Sequence, residues 1–385
     1  MKNDIVFIDT NSIGNFHEIF NTAFFKILEK NYDSITYISS DSCIEAITKI
    51  LNDKALSYDQ SKIHFKKIKV LKGSQSYHIF LRKLLASFLL FFLLIKNRKE
   101  KIILANLNEF STLYLNSLVN IFDIKLGIIT HGELEYMIQD VPKNKPIFLY
   151  KSLLKHFFKN KISENIQILT LGKSIEDNLK QIFPVNSKII KSIEHPYFFD
   201  SNAVSESSDS NIIRMGIVGT VGENKGMSDF IKLSQHLESS IHQGVIEFHV
   251  IGKHNYNIEN YPLLRFLAKP NTSIPTKEYN DAIQKLDFIL FFYNENQYRL
   301  TASGAIFDAI NHNKPIIALK NSYFNHVFSY GKVGYLCENI EEMKDIIKDV
   351  VDKKNVNFDL RIEFEKIKNI FDWKHIVLPL IIKNN

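Results

Sequence analysis

Short runs rich in β-branched and aromatic residues recur along the chain, and most are followed by a stretch with helical spacing. This alternation limits the fold more than any other feature. In the first half the runs are DIVFID, SITYIS, IHFKKIKV, KIILAN, LGIITH and IQILTLG; in the second they are IRMGIVGT, IEFHVIG, FILFFY and KPIIALK. A strand that is apolar on both faces needs cover on both faces, so the pattern predicts parallel sheets layered between helices.

At 385 residues the chain is too long for one ordinary core. Its clearest break is DSNAVSESSDSN, residues 200–211, which holds almost nothing to bury and reads as a linker. The expected class is therefore α/β, with two Rossmann-like domains of comparable size facing a cleft. The boundaries are 1–200 for the first domain and 211–365 for the second. Ligands of such folds gather at strand C-terminal ends.

A composition of 45% apolar and 23% charged residues is that of a globular protein. Cys43 and Cys337 are too far apart for zinc spacing or a disulfide framework, which points to a reducing compartment. The opening MKNDIVFIDTNS reads as a strand and its turn, not as a secretory signal. A net charge of +6 is modest, so its placement matters more than its sum, and no nucleic-acid partner is expected. Residues 80–101, FLRKLLASFLLFFLLIKNRKEK, have an apolar centre with basic flanks. Three readings stay open: a core helix, a helix on an anionic membrane surface, or a span, for which the centre is short of the roughly 20 residues needed. Residues 150–161, YKSLLKHFFKNK, mix Lys and Phe at helical spacing, either as a solvated amphipathic helix or as part of the same membrane face.

Two stretches of the second half have the chemistry of an anion site. RMGIVGTVGENKGMSDFIKL is a strand, a Gly-rich loop and a helix; Gly219 and Gly222 let the backbone approach a ligand, and Lys225 adds a cation. Gly252 and Lys253 close the next strand in a similar turn. In YRLTASGAIFDAINHNKPIIA, Ser303 and Gly304 sit where loop becomes helix, with Arg299 before them and Asp308 about one turn beyond. Amides and Arg299 suit a diphosphate, and the Asp308 carboxylate suits a ribose diol. The plainer alternative is that Ser303 caps a helix and Asp308 is a solvated acid in its first turn.

The order of these motifs resembles the GT-B glycosyltransferases, particularly the family 4 branch, through most of the second half and diffusely in the first. Gly219, Lys225 and Gly226 match the family's loop, with Thr220 where its phosphate-binding Arg usually stands. Asp308-Ala309 and NKPIIA match the second half of its acid motif. Leu300 occupies the position of the first acid, with Arg299 and Glu295 as possible substitutes. FDW, Phe371 to Trp373, resembles the family's F-x-W, after which residues 366–385 would form a terminal helix returning to the first domain. His131, Gly132 and Glu133 end a strand where similar enzymes place a His-Gly turn.

The resemblance implies sugar transfer from a nucleotide-diphosphate donor to a glycan or lipid-linked acceptor, in bacterial surface polysaccharide or lipopolysaccharide assembly. Catalytic roles would fall to His131, Glu133, Lys225 and Arg299, and donor binding to Gly219, Thr220, Gly252, Ser303, Gly304 and Asp308. The nucleotide sugar is a co-substrate, with neither a cofactor nor a metal expected. The setting would be cytoplasmic, peripheral at the inner face of the plasma membrane through 80–101 and 150–161. Leu300 weakens a retaining mechanism, and Glu133 as base suits inversion. Two rivals are a catalytically silent GT-B glycan-binding or docking module and a non-hydrolysing sugar-nucleotide 2-epimerase.

Overall fold

The computed structural model describes residues 3–14, 17–200, 212–296, 298–352 and 360–379. It divides into two compact units. Unit 1 comprises Met1–Phe198, Leu300–Ala302 and Phe371–Asn385; unit 2 comprises Phe199–Arg299 and Ser303–Ile370. Apart from Asp200, the expected linker lies outside the described residues.

Unit 1 is built on seven parallel strands: β1 (Asp4–Ile8), β2 (Ser34–Ser40), β3 (Ile63–Ile68), β4 (Lys101–Leu104), β5 (Leu126–Ile129), β6 (Ile166–Leu171) and β7 (Ile190–Ile193). Their order is β3-β2-β1-β4-β5-β6-β7. Phe7 of β1 stands opposite Tyr37 of β2 and Ile103 of β4, which fixes the register around an aromatic centre. Helix Glu18–Asn31 supplies the layer over this centre, burying Phe20, Phe24 and Leu28 at four-residue intervals along one face. The ring of Phe24 lies 5.4 Å from that of Phe7. Because the strand order reverses between β1 and β4, the turns after these two strands part and leave a crevice at their ends.

Unit 2 repeats the plan with six strands: β8 (Ile213–Val218), β9 (Ile246–Ile251), β10 (Leu264–Phe266), β11 (Phe288–Phe291), β12 (Ile316–Leu319) and β13 (Gly334–Cys337). All pair in parallel in the order β10-β9-β8-β11-β12-β13, so the reversal falls between β8 and β11. Met215, Phe230, Phe248, Leu290, Phe292, Ile317 and Met343 fill its core. Strands β7, β10 and β13 are three or four residues long and were not among the expected runs.

The chain end differs from the expected helix over 366–385. The last described helix is Arg361–Phe371. It stops there because the next backbone groups bond elsewhere. The Tyr197 amide donates to the Phe371 carbonyl at 2.9 Å, and the Trp373 amide donates to the Tyr197 carbonyl at 3.1 Å. Asp372 is thereby bridged in parallel to Tyr197. Trp373 and Leu378 then pack on the core of unit 1. Residues 380–385 lie outside the described part.

One helix of unit 1 has an unusual distribution of surface. Ser76–Lys96 runs for 21 residues and buries Ala86, Ser87, Leu90 and Leu94, with the opposite side open. It is the one helix among the described residues that is long and apolar enough to cross a membrane. The second membrane candidate, 150–161, is different. It lies largely within helix Pro146–Lys159, whose Tyr150, Leu154, Phe157 and Phe158 are buried. Tyr150, Phe157 and Phe158 therefore belong to the core, and the apolar surface of this helix is chiefly Leu149, with Phe148 and Leu153 half-buried.

Candidate functional site

In unit 2 the side chains singled out from the sequence collect at the reversal between β8 and β11. Gly219 ends β8 with a φ of 87°, a left-handed conformation that disfavours side chains. A Cβ there would lie 3.5 Å from Cβ of Ala305 and 3.8 Å from Nζ of Lys225, so the bare backbone faces both the next loop and the cation. Thr220 is exposed beside it. Gly252 lies against this turn. A Cβ on it would fall 1.6 Å from the Gly219 carbonyl oxygen, so the two turns touch backbone to backbone. Gly226, with φ 78°, fits against Phe292 in the same manner, which turns Lys225 toward the strand ends.

The Lys225 amine lies 5.6 Å from the centre of the Tyr293 ring. Burial lowers its pKa, and the attraction of Asp308 opposes that shift. Tyr293 follows β11, is fully enclosed, and stacks on Tyr298 at 4.2 Å. Burial raises the pKa of its phenol, with smaller contributions from Tyr298 and Asp308. Ser303 is buried, and its hydroxyl interacts with the Tyr293 phenol, which opposes that shift. Gly304 is exposed, and a Cβ on it would meet open space. The short helix Ala305–Asn311 then carries Asp308, whose Oδ2 accepts from the Tyr279 hydroxyl at 2.8 Å. Gly219, Lys225, Ser303 and Asp308 thus surround one place. The Arg299 Nε is 4.0 Å from Glu295, whose other oxygen accepts from the Ser322 amide at 2.6 Å.

In unit 1 the crevice at the ends of β1 and β4 is lined by polar side chains that sequence reading did not single out. Asp9 is buried; its Oδ1 accepts from the amides of Asn11 (3.2 Å) and Ser12 (3.0 Å) and from Nδ2 of Asn106 (3.1 Å). Asn11 in turn donates to Asn106 at 2.9 Å and accepts from Asn108 at 3.0 Å. A carboxylate followed by Asn and Ser, directly after a strand, was the available signal.

His131 and Glu133 follow β5 on this unit. The His131 ring is buried, with Nε2 3.0 Å from the Ala105 carbonyl, and it stacks on His17 at 4.1 Å. Phe20 presents its ring to both His131 and His195. Burial, then the neighbouring His195, lowers the pKa of His131 to about 3. Burial, then His17, lowers that of His195 to about 4. All three imidazoles are therefore neutral near pH 7, which suits hydrogen bonding better than charge stabilisation. The Glu133 carboxylate accepts from the Leu107 amide (3.2 Å) and the His131 amide (3.0 Å). Burial raises its pKa to about 7; those amides oppose the shift and Glu109 adds to it. Glu109 itself is buried and paired with Lys83 at 2.5 Å.

Leu300 is buried in unit 1, where its amide donates to Glu135 at 2.7 Å and the Thr301 hydroxyl donates to the same oxygen at 3.0 Å. The position is thus held by its backbone, and its side chain is core. Among the described residues, no group of three His, Cys, Asp or Glu side chains is gathered as a metal site would need.

No family model and no curated protein matches this sequence. Solved structures do match it. HepE from Anabaena, in complex with UDP and glucose, superposes with a TM-score of 0.63 at 13% identity, over 96% of each chain. The lipopolysaccharide outer core galactosyltransferase WaaB gives 0.58 at 14% identity over 97% of each chain. WaaG, a glycosyltransferase involved in lipopolysaccharide biosynthesis, gives 0.59 at 10% identity over 95% of this chain and 99% of the other. Two parallel Rossmann-like sheets of seven and six strands, matched over nearly the whole chain, are the fold of the GT-B glycosyltransferases.

Proposed function

We propose that this chain transfers a sugar from a nucleotide-diphosphate donor to a hydroxyl of a glycan or lipid-linked acceptor. The observation that carries the reading is the convergence in unit 2 of bare backbone at Gly219, the Lys225 amine, the buried Ser303 hydroxyl and the Asp308 carboxylate. Phosphate oxygens need cations and donors, and a ribose diol needs an acceptor. Gly219 and Gly304 leave room for the ligand, Thr220 borders it, and Gly252 fixes the loop. In the reaction the acceptor oxygen bonds to the anomeric carbon as the bond from that carbon to the phosphate oxygen breaks. The electron pair leaves with the diphosphate, where Lys225 and Arg299 offset the growing charge. The acceptor proton needs a base, and the raised pKa of Glu133 suits that role near neutrality, while the neutral His131 suits hydrogen bonding to a sugar. This reading uses fixed cations in place of a metal.

The complex of HepE with UDP makes UDP the first nucleotide to test. The names of WaaB and WaaG support bacterial surface polysaccharide or lipopolysaccharide assembly as the setting, which would place the chain in the cytoplasm at the inner face of the plasma membrane. Calorimetry with UDP, GDP and ADP, followed by incubation with labelled UDP-sugars, tests the proposal. Heat with one nucleotide and slow consumption of its sugar donor are expected; no heat with any of them sinks it. The apolar Leu300 favours one second reading, a silent binding module, which would bind a nucleotide or glycan and consume no donor.

A further inference from the structure

A surface helix of a globular protein ordinarily turns its apolar face inward and its polar face to water. Helix Ser76–Lys96 does not. Its inner side already packs, through Ala86, Ser87, Leu90 and Leu94. The Lys83 amine turns inward to Glu109 at 2.5 Å, and the Lys83 carbonyl accepts from Asn108 at 2.8 Å. The outer side carries Tyr77, Leu81, Leu85, Phe88 and Phe92, exposed by 62, 43, 50, 61 and 65%. At 100° per residue these five lie within an arc of about 80°, forming a stripe roughly 22 Å long. Beyond the stripe's C-terminal end stand Lys96, Arg98 and Lys99, all exposed and followed in sequence by Glu100.

We propose that this stripe lies in the surface of an anionic lipid bilayer, along the membrane plane. Large side chains enter the acyl boundary, and the basic cluster at the helix end meets the headgroups. A crossing helix is disfavoured by the inner face. Withdrawing it into lipid would break the Lys83–Glu109 pair and strand a buried carboxylate. The charges favour a bilayer over a protein partner, because a line of apolar side chains ending in three exposed cations to one acid matches an acyl layer edged with anions. The inference is independent of the transfer reaction and names the helix, instead of 150–161, as the membrane face.

The test is co-sedimentation of the full chain with phosphatidylcholine vesicles, with and without phosphatidylglycerol. The protein is expected to pellet with the anionic vesicles only and to be released by salt. The triple variant Leu85→Ser/Phe88→Ser/Phe92→Ser changes exposed side chains, so its melting should match the parent, while its vesicle affinity falls at least about tenfold. Lys96→Gln/Arg98→Gln/Lys99→Gln is expected to lose on the order of a hundredfold on anionic vesicles. Both variants keep the parent's affinity for UDP, so this result is read separately from donor binding. A parent that stays in the supernatant, or a serine variant that sediments like the parent, overturns the proposal. It is also overturned if light scattering shows a dimer that the serine variant splits, because the stripe then joins two copies.

Discussion

Replacing Lys225 with Met removes the one amine that faces both Gly219 and Tyr293 while keeping most of the side-chain volume. A hydrogen bond to a charged group contributes about 1.5 to 3 kcal/mol, so the loss on a diphosphate is roughly 10- to 150-fold in affinity. Without ligand the effect has the opposite tendency. The buried amine is costly to desolvate, as its lowered pKa records, so unit 2 should melt at the same temperature or slightly higher. With UDP at a hundred times the parent's dissociation constant, binding adds about 2.7 kcal/mol, or roughly 5 to 10 °C for a unit of this size. A hundredfold weaker variant keeps only about 0.4 kcal/mol, close to 1 °C. Calorimetry gives the affinity and a melt gives the stability. A Lys225→Met protein that retains the full UDP-induced shift refutes the assignment of Lys225 to the diphosphate. One that loses the shift because it is already unfolded fails the stability half.

Tyr279→Phe deletes the hydroxyl that positions Asp308 and should weaken UDP binding several-fold, by about 0.5 to 1.5 kcal/mol, with melting nearly unchanged; an intact affinity separates Asp308 from the ribose. Gly252→Ala sets a methyl against the Gly219 carbonyl at a φ of 155° and should cost about 3 kcal/mol or more, read by urea unfolding; a neutral result means that the two turns can part. Acid should destabilise unit 1 through its histidines. Their pKa values are lowered on folding, so their contribution is complete above about 6.5 and is lost as the pH falls toward about 4 for His195 and about 3 for His131. His195→Gln should flatten that slope in urea titrations. Glu133 acts with the opposite sign: its pKa is raised to about 7, so its contribution is present below about 4.5 and is lost as the pH rises through 7. Glu133→Gln should remove that component.

The sheets were legible because parallel strands must be apolar on both faces, and runs such as DIVFID and FILFFY have few other uses. Strands β7, β10 and β13 were missed for the same reason. KSI, LRF and GYLC are too short or too mixed to stand out, and they form because a neighbouring strand offers an edge. The end of the chain differed because its helix was expected from the likeness of FDW to a family motif, whereas a backbone bridge to Tyr197 decides where the helix stops. At the site, Lys225, Ser303 and Asp308 could be found by residue type and distance from a strand end. Tyr279 and Asn106 could not, since each matters through a partner remote in sequence; Asp9, followed by Asn and Ser directly after a strand, carried a local signal that the reading passed over. The missing side chain of Gly252 accommodates another turn.

That meeting of Gly219 and Gly252 has a bearing on how far such a chain can diverge. The shape of the loop after β8 is held by main-chain atoms pressed together, with no side chain as intermediary. Substitutions all around it leave the mould unaltered as long as the two glycines persist. A chain can then vary at neighbouring positions such as the exposed Thr220 without reshaping that turn.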